Sequence, residues 1–164
     1  MALGESGDAD ADYPLMFQAY PSLQFSDGSG SHLPWLQELP DPTSSAMWGL
    51  PVEIDPKTAV ALGVVNGQIV RVTSPAVSIE APAYINPAAI PGVVSMAIGQ
   101  GHAHYGRYAS GRGSNPLLLV AAVVDRQTGV PALGDVRVRI EKVGERRGLV
   151  QFSAVDQEVH AERL

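Results

Sequence analysis

The stretch DPKTAVALGVVNGQIVRVT, Asp55 to Thr73, carries the clearest local instructions in the chain. The Asp55 carboxylate can accept hydrogen bonds from the free N–H groups that open a helix, and Pro56 suits the first helical position. Gly63 can take the left-handed conformation that stops a helix, so the pattern predicts a short helix over 56–62. Asn66-Gly67 then predicts a tight turn. Gln68 to Thr73 (QIVRVT) follows as a strand, because Ile69, Val70 and Val72 are residues that favour a pleated surface.

Working outward, further strand-like runs occupy Leu15 to Tyr20, Val77 to Ile85, Gly92 to Ile98, Asp135 to Val143 and Gly148 to Ser153. The Asp135 run alternates Val136, Val138 and Ile140 against Arg137, Arg139 and Glu141, the period of a half-buried strand. Many short strands separated by Gly, Pro or Asn predict a closed barrel rather than a sandwich or a parallel sheet, since closure removes exposed edges. The fold class expected is therefore mainly β, with short helices and long Gly/Pro-rich loops. Between the first two strand regions, SDGSGS (Ser26 to Ser31) predicts a flexible loop. HLPWLQELPDP (His32 to Pro42) predicts one or two helical turns bracketed by prolines, with Trp35, Leu36 and Leu39 on one side as a core plug. The acidic start, residues 1–12, is expected to be a disordered linker or chain end, with an ordered domain over 13–153 and a polar tail or linker over 154–164. No internal repeat is visible.

Composition bounds the function. A chain of 164 residues fits one domain on a prior of about 150 residues each. Hydrophobic residues make up 45%, enough for a core, but charged residues only 17% against a usual figure of about 25%. Gly (17) and Pro (13) are in excess. Scarce charge together with many turn formers points to a loop-rich β domain, part of whose surface another protein segment covers. The net charge of -6 opposes binding to nucleic acid or anionic membranes. Absence of cysteine excludes zinc ribbons, thiolate-held iron–sulfur clusters and a cysteine nucleophile from this chain. The longest weakly polar stretch, Pro116 to Val124, is too short to span a bilayer, and the start lacks the order of a signal peptide, so no direct membrane insertion is expected.

The unusual chemistry lies in GQGHAHYGRYASGRGSNP, Gly99 to Pro116. Its glycines permit close backbone approach, Arg107 and Arg112 carry forked permanent charge, and Tyr105, Tyr108, His102 and His104 add rings and donors. Asn115-Pro116 predicts the cap of a short apolar helix running to Leu119. A segment with two arginines, two histidines and no carboxylate is a candidate anion site, although on composition alone a solvated, mobile loop is the more usual role of such a segment. His102 and His104 would share one face of an extended segment, but no further ligand is near in sequence, so no metal site is expected. Neither a nucleophile elbow nor a phosphate-binding fingerprint is present. Asp41, Glu53 and Asp55 sit beside prolines or turns, where capping and solvation are the expected roles. No catalytic residue is expected in this chain.

Three segments carry a family resemblance: VEIDPKTAVALGVVNGQIVRVTSP (52–75), PGVVSMAIGQGH (91–102) and GRYASGRGSNPLLL (106–119). From Tyr13 to Val124, and more loosely to Ser153, the chain resembles the C-terminal molybdopterin-dinucleotide-binding domain of the dimethyl sulfoxide reductase family. That resemblance implies a six-stranded double-psi β-barrel closing over one side of a pterin, with the molybdenum ligand and catalytic centre in other domains. Carried over by position, it puts Gly101, His102, Tyr105, Gly106, Arg107 and Asn115 nearest the cofactor. HLPWLQELPDP, HYGRYASGRGSNP and GDVRVRIEKVGERRGLVQ carry a narrower resemblance to the iron–sulfur molybdoenzyme-like subunit of bacterial alternative complex III. The narrower match implies a scaffold domain with a vestigial cofactor pocket in a quinol-oxidising complex. Its partners would be other domains or subunits of an iron–sulfur oxidoreductase, on the periplasmic side of a bacterial membrane. The alternative is a functional domain that binds molybdopterin guanine dinucleotide. Two departures from the family pattern are Gly67-Gln68, where Gly-Asp is common, and SPAVS (Ser74 to Ser78) in place of a small Gly turn.

Overall fold

A computed structural model describes residues 12–120, 127–130, 136–146 and 149–152. The expected tail over 154–164 and nearly all of the expected linker over 1–12 lie outside the described residues. Six strands are formed: β1 (Leu15–Pro21), β2 (Val52–Ile54), β3 (Gln68–Thr73), β4 (Ser78–Ile85), β5 (Val93–Ile98) and β6 (Val136–Arg146). They close in the order β1-β5-β2-β4-β3-β6. Short helices α1 (Pro34–Glu38), α2 (Pro56–Leu62) and α3 (Gly106–Ala109), and a 3-10 turn at Pro116–Leu118, sit in the connections.

Two pairings are parallel, β1 with β5 and β2 with β4, and neither joins sequence neighbours. The other four are antiparallel. Exchanging every strand for the one three places later leaves the cyclic order and all pairing directions unchanged. The barrel thus has a two-fold topological repeat, with one parallel crossover in each half, which is the double-psi arrangement. Its interior is filled by alternate residues of every strand, among them Phe17, Val52, Ile54, Val70, Val72, Val94, Met96 and Val138, all fully buried. Ala59 and Val64 from the α2 region and Leu119 from the 3-10 turn join that core.

The local reading of α2 is realised atom by atom. Asp55 Oδ1 accepts from the N–H groups of Lys57 (2.9 Å) and Thr58 (3.1 Å), and Gly63 adopts φ 63° while its N–H donates to the carbonyls closing the last turn. In the following hairpin the SPAVS departure is absorbed locally. Ser74 N–H donates to Val77 O at 2.9 Å, and the pairing of Thr73 with Ser78 is retained.

Three expectations require correction. Of the strand expected over 148–153, the described residues 149–152 make only a single bridge, Gln151 with Ala46. The remaining place in the barrel belongs instead to β2, and β6 runs on to Arg146 past a register shift opposite Gln68 and Val70. In the α1 segment Trp35 is 64% exposed and Leu39 49%, so only Leu36 of the expected plug packs on the core. The fully buried residue of α1 is Gln37, whose Nε2 donates to Ser31 O at 2.6 Å. Lastly, Glu53 is not solvated. It lies on β2, only 8% exposed, and accepts hydrogen bonds from the Tyr20 hydroxyl and from Asn86 Nδ2 (2.7 Å). Asp41 and Asp55 do act as expected, the former receiving the N–H groups of Thr43 and Ser44.

Burial, then the hydrogen bond to Glu53 and its charge, push the Tyr20 phenol far above the usual tyrosine range. Tyr20 therefore remains a donor wherever the fold persists. Tyr20→Phe is expected to cost about 1–3 kcal/mol, because it strips a partner from a buried carboxylate. It should also remove the loss of stability at pH above the ordinary tyrosine range that a raised folded pKa produces; denaturant titration across alkaline pH reads both. Burial raises the pKa of Asp55, but hydrogen bonds from Thr58, Lys57 and Gly92 outweigh it and the net shift is downward. The Asp55 contribution is thus complete above the ordinary aspartate range and lost as pH falls through the lowered folded value. Asp55→Ala should cost about 1 kcal/mol at neutral pH and flatten that acid limb in thermal unfolding.

Candidate functional site

The Gly99–Pro116 loop leaves β5 and returns to the barrel at the buried Leu119. Its two ends touch. Gly101, at φ 88°, is so close to the returning chain that a Cβ there would lie 2.2 Å from the Asn115 nitrogen. Gly101 N–H donates to Arg112 O (2.9 Å) and Gly111 N–H to His102 O (2.9 Å), so the loop is laced across its width. Asn115 Oδ1 accepts from Leu117 N–H at 3.0 Å and caps the 3-10 turn, which is shorter than the helix expected to reach Leu119. Asn115 is thereby a capping residue at the loop's exit.

The structure gathers some of the expected site residues and separates others. His102 and Tyr105 stack with ring centroids 4.8 Å apart, and His32 meets the same tyrosine edge-on at 5.2 Å. The Tyr105 hydroxyl donates to Ser29 O at 2.7 Å, pinning the SDGSGS segment to the loop. His102 Nε2 is buried and has no hydrogen-bond partner, and it lies 3.1 Å from where a Cβ on Gly28 would be. Gly106, at φ 75°, begins α3 beside His32. Arg107 stands apart, exposed, with its guanidinium 5.7 Å from the Tyr108 ring. Arg112 is turned the other way, over the Trp48 ring at 4.6 Å.

Sequence reasoning missed Trp48, Gln37 and Gln100. Trp48 has φ 60°, a conformation that costs a bulky residue roughly 1–3 kcal/mol and survives only where its surroundings impose it. It helps line a cavity of about 410 Å³ together with Leu50, Ile69, Pro82, Gly113 and Val143. None of the six expected site residues lines that cavity; the loop reaches it through Gly111, Gly113 and Ser114. Gln100 is buried and donates from Nε2 to Gln37 Oε1 at 2.8 Å. No local signal marks these residues, since glutamine in a polar segment ordinarily faces water. Among the described residues no group of three or more His, Asp or Glu side chains could hold a metal. No helix among them is long and apolar enough to cross a membrane.

Residues 36–137 match the molydopterin dinucleotide binding domain. The chain belongs to that family. Over 142 residues it is 32% identical to the arsenate respiratory reductase molybdopterin-containing subunit ArrA of Shewanella sp. (strain ANA-3), a match covering 82% of this chain and 17% of that protein. Among solved structures, acetylene hydratase from Pelobacter acetylenicus shares the fold with a TM-score of 0.64 at 18% identity, covering 83% of this chain and 19% of that one. This molydopterin dinucleotide binding domain therefore spans less than one-fifth of the length of either relative.

Gly101→Ala in this domain should lower stability by about 2 kcal/mol or more, because the new methyl strikes backbone and the left-handed φ is strained. Thermal unfolding measures the loss, and faster amide exchange at Gly111 would place it in the loop.

Proposed function

We propose that the chain is a functional grip for molybdopterin guanine dinucleotide within a larger oxidoreductase. The observation that carries this reading is the Gly99–Pro116 loop, folded and cross-bonded, rich in donors and free of carboxylates. The residues fit such a ligand. Left-handed glycines at 101, 106, 111 and 113 keep side chains from crowding the backbone, His102 has a buried ring nitrogen without a partner, and Arg107 offers an exposed guanidinium. Arg107 would neutralise the diphosphate, with His102 and Tyr105 on the polar heterocycle, the Gly101 and Gly106 backbone closing on it, and Asn115 fixing the exit of the loop. When bound, the cofactor supplies a molybdenum redox centre; this chain orients it and shields one side from water. The remaining domains, and any iron–sulfur partner, would supply the metal ligand, the substrate pocket and the path for electrons. Residence on the periplasmic side of a bacterial membrane, held by those partners, belongs to the same proposal. With a net charge of -6, nucleic acid is not a proposed partner.

The scaffold reading, a vestigial pocket in a quinol-oxidising complex, is the second. It is favoured by Arg112, which is engaged with Trp48 rather than held out for an anion. The binding reading stands ahead of it because the 32%-identical relative is described as molybdopterin-containing. Protein purified from its native host decides between them. Guanine nucleotide and molybdenum released together on denaturation support the binding reading; the absence of both supports the scaffold. In the loaded protein, Arg107→Ala is expected to reduce nucleotide retention by roughly tenfold to a hundredfold, the loss of a charge-assisted hydrogen bond worth about 1.5–3 kcal/mol. Unchanged retention would remove Arg107 from the site.

A further inference from the structure

Five residues form a closed circuit at the base of the loop. Gln100 Nε2 donates to Gln37 Oε1 at 2.8 Å. Gln37 O accepts the Trp48 N–H at 2.9 Å. The Trp48 ring lies under the Arg112 guanidinium at 4.6 Å, and Arg112 O accepts the N–H of Gly101, the neighbour of Gln100, at 2.9 Å. Its two amides are dry, with Gln37 0% exposed and Gln100 2%, while Trp48, Gly101 and Arg112 are half-buried. Arg112 Nε is buried without a hydrogen bond, so this part of the guanidinium depends on the face of the indole. The left-handed Trp48 backbone presents that indole to Arg112 from the connection between β1 and β2, far away in sequence.

We infer that Trp48 and Arg112 are positioning residues for the dinucleotide. They clamp the outgoing and returning arms of the Gly99–Pro116 loop to α1, so that the loop is ordered before the ligand arrives. The inference rests on the proposed binding role of the loop and goes beyond it, because neither residue has to touch the ligand. Preorganisation lowers the ordering cost of binding, so weakening the clamp weakens retention without altering any ligand contact.

The test uses protein purified from its native host with Trp48→Leu, which keeps apolar bulk but removes the aromatic face, Arg112→Met, which keeps the stem but removes the cation, and Trp48→Phe, which restores a ring. Trp48→Leu and Arg112→Met should each retain about threefold to tenfold less guanine nucleotide per polypeptide, as a partly buried cation–π contact implies. Both should speed amide exchange at Gly101 and Gly111 while leaving exchange in α2, which lies outside the cavity that Trp48 lines, unchanged, and Trp48→Phe should recover most of both effects. Wild-type retention and wild-type loop exchange in the Leu and Met variants would overturn the clamp. So would acceleration spread evenly over the barrel, or a Phe variant as poor as Leu. If the unsubstituted protein releases no nucleotide at all, the functional reading fails on its own, and the exchange measurements still decide whether the clamp exists.

Discussion

Everything in this domain depends on the closure of a short sheet through two parallel pairings between strands that are not neighbours in sequence. Strand β2 has only three residues, yet it must sit between β5 and β4 for the ring to close. Closure satisfies backbone groups that a small open sheet would leave at its edges, and it places Val52 and Ile54 in the same core as Phe17, Val94 and Met96. The connection from β1 to β2 and the one from β5 to β6 each join strands that another strand separates in the ring, β5 in the first case and β1 in the second; they are long, and each carries short helical turns.

Those two crossings meet. The segment between β1 and β2 supplies Ser29, His32, Gln37 and Trp48, and the Gly99–Pro116 loop supplies Gln100, His102, Tyr105 and Arg112. Neither loop is large enough to bury a core of its own, and they hold each other through stacked rings and buried amides instead. Such contacts are directional, so they define a shape rather than a mere collapse. A binding surface built in this way can be rigid without lying on a strand. That suits the dinucleotide-binding role proposed for this loop.

Polar side chains in unexpected places share one explanation. Glu53 is buried because β2 is covered on both faces, and Tyr20 and Asn86 make the carboxylate tolerable there. Gln37 is buried because the face of α1 turned to the protein meets the main chain of Ser31 and the amide of Gln100, not an apolar wall. Trp35 is correspondingly left exposed, as are Leu39 and Leu23, on a chain whose low charge content had already pointed to a covered surface.

Sequence by itself determined the pieces whose energetics are local. The Asp55 cap, the Gly63 stop, the β3 strand and the alternation of Val138 and Ile140 with Arg139 follow from residues a few positions apart. The resemblance carried by 52–75, 91–102 and 106–119 led to the barrel and its family. The likeness singled out Gly101 as a position near the cofactor; its tight approach to the Asn115 backbone is a separate feature that only the fold displays. Tertiary structure decided which runs close the ring, seating Val52–Ile54, the start of the 52–75 segment that carries the resemblance, between β5 and β4 and leaving 149–152 with a single bridge, because membership depends on partners distant in sequence. It also gave the pairing directions that make up the two-fold repeat of the topology, which the family resemblance had implied but no residue pattern shows, since pairing direction is a property of backbone. And it alone joined Gln37, Trp48 and Arg112, whose contacts arise only where two long crossings are brought face to face.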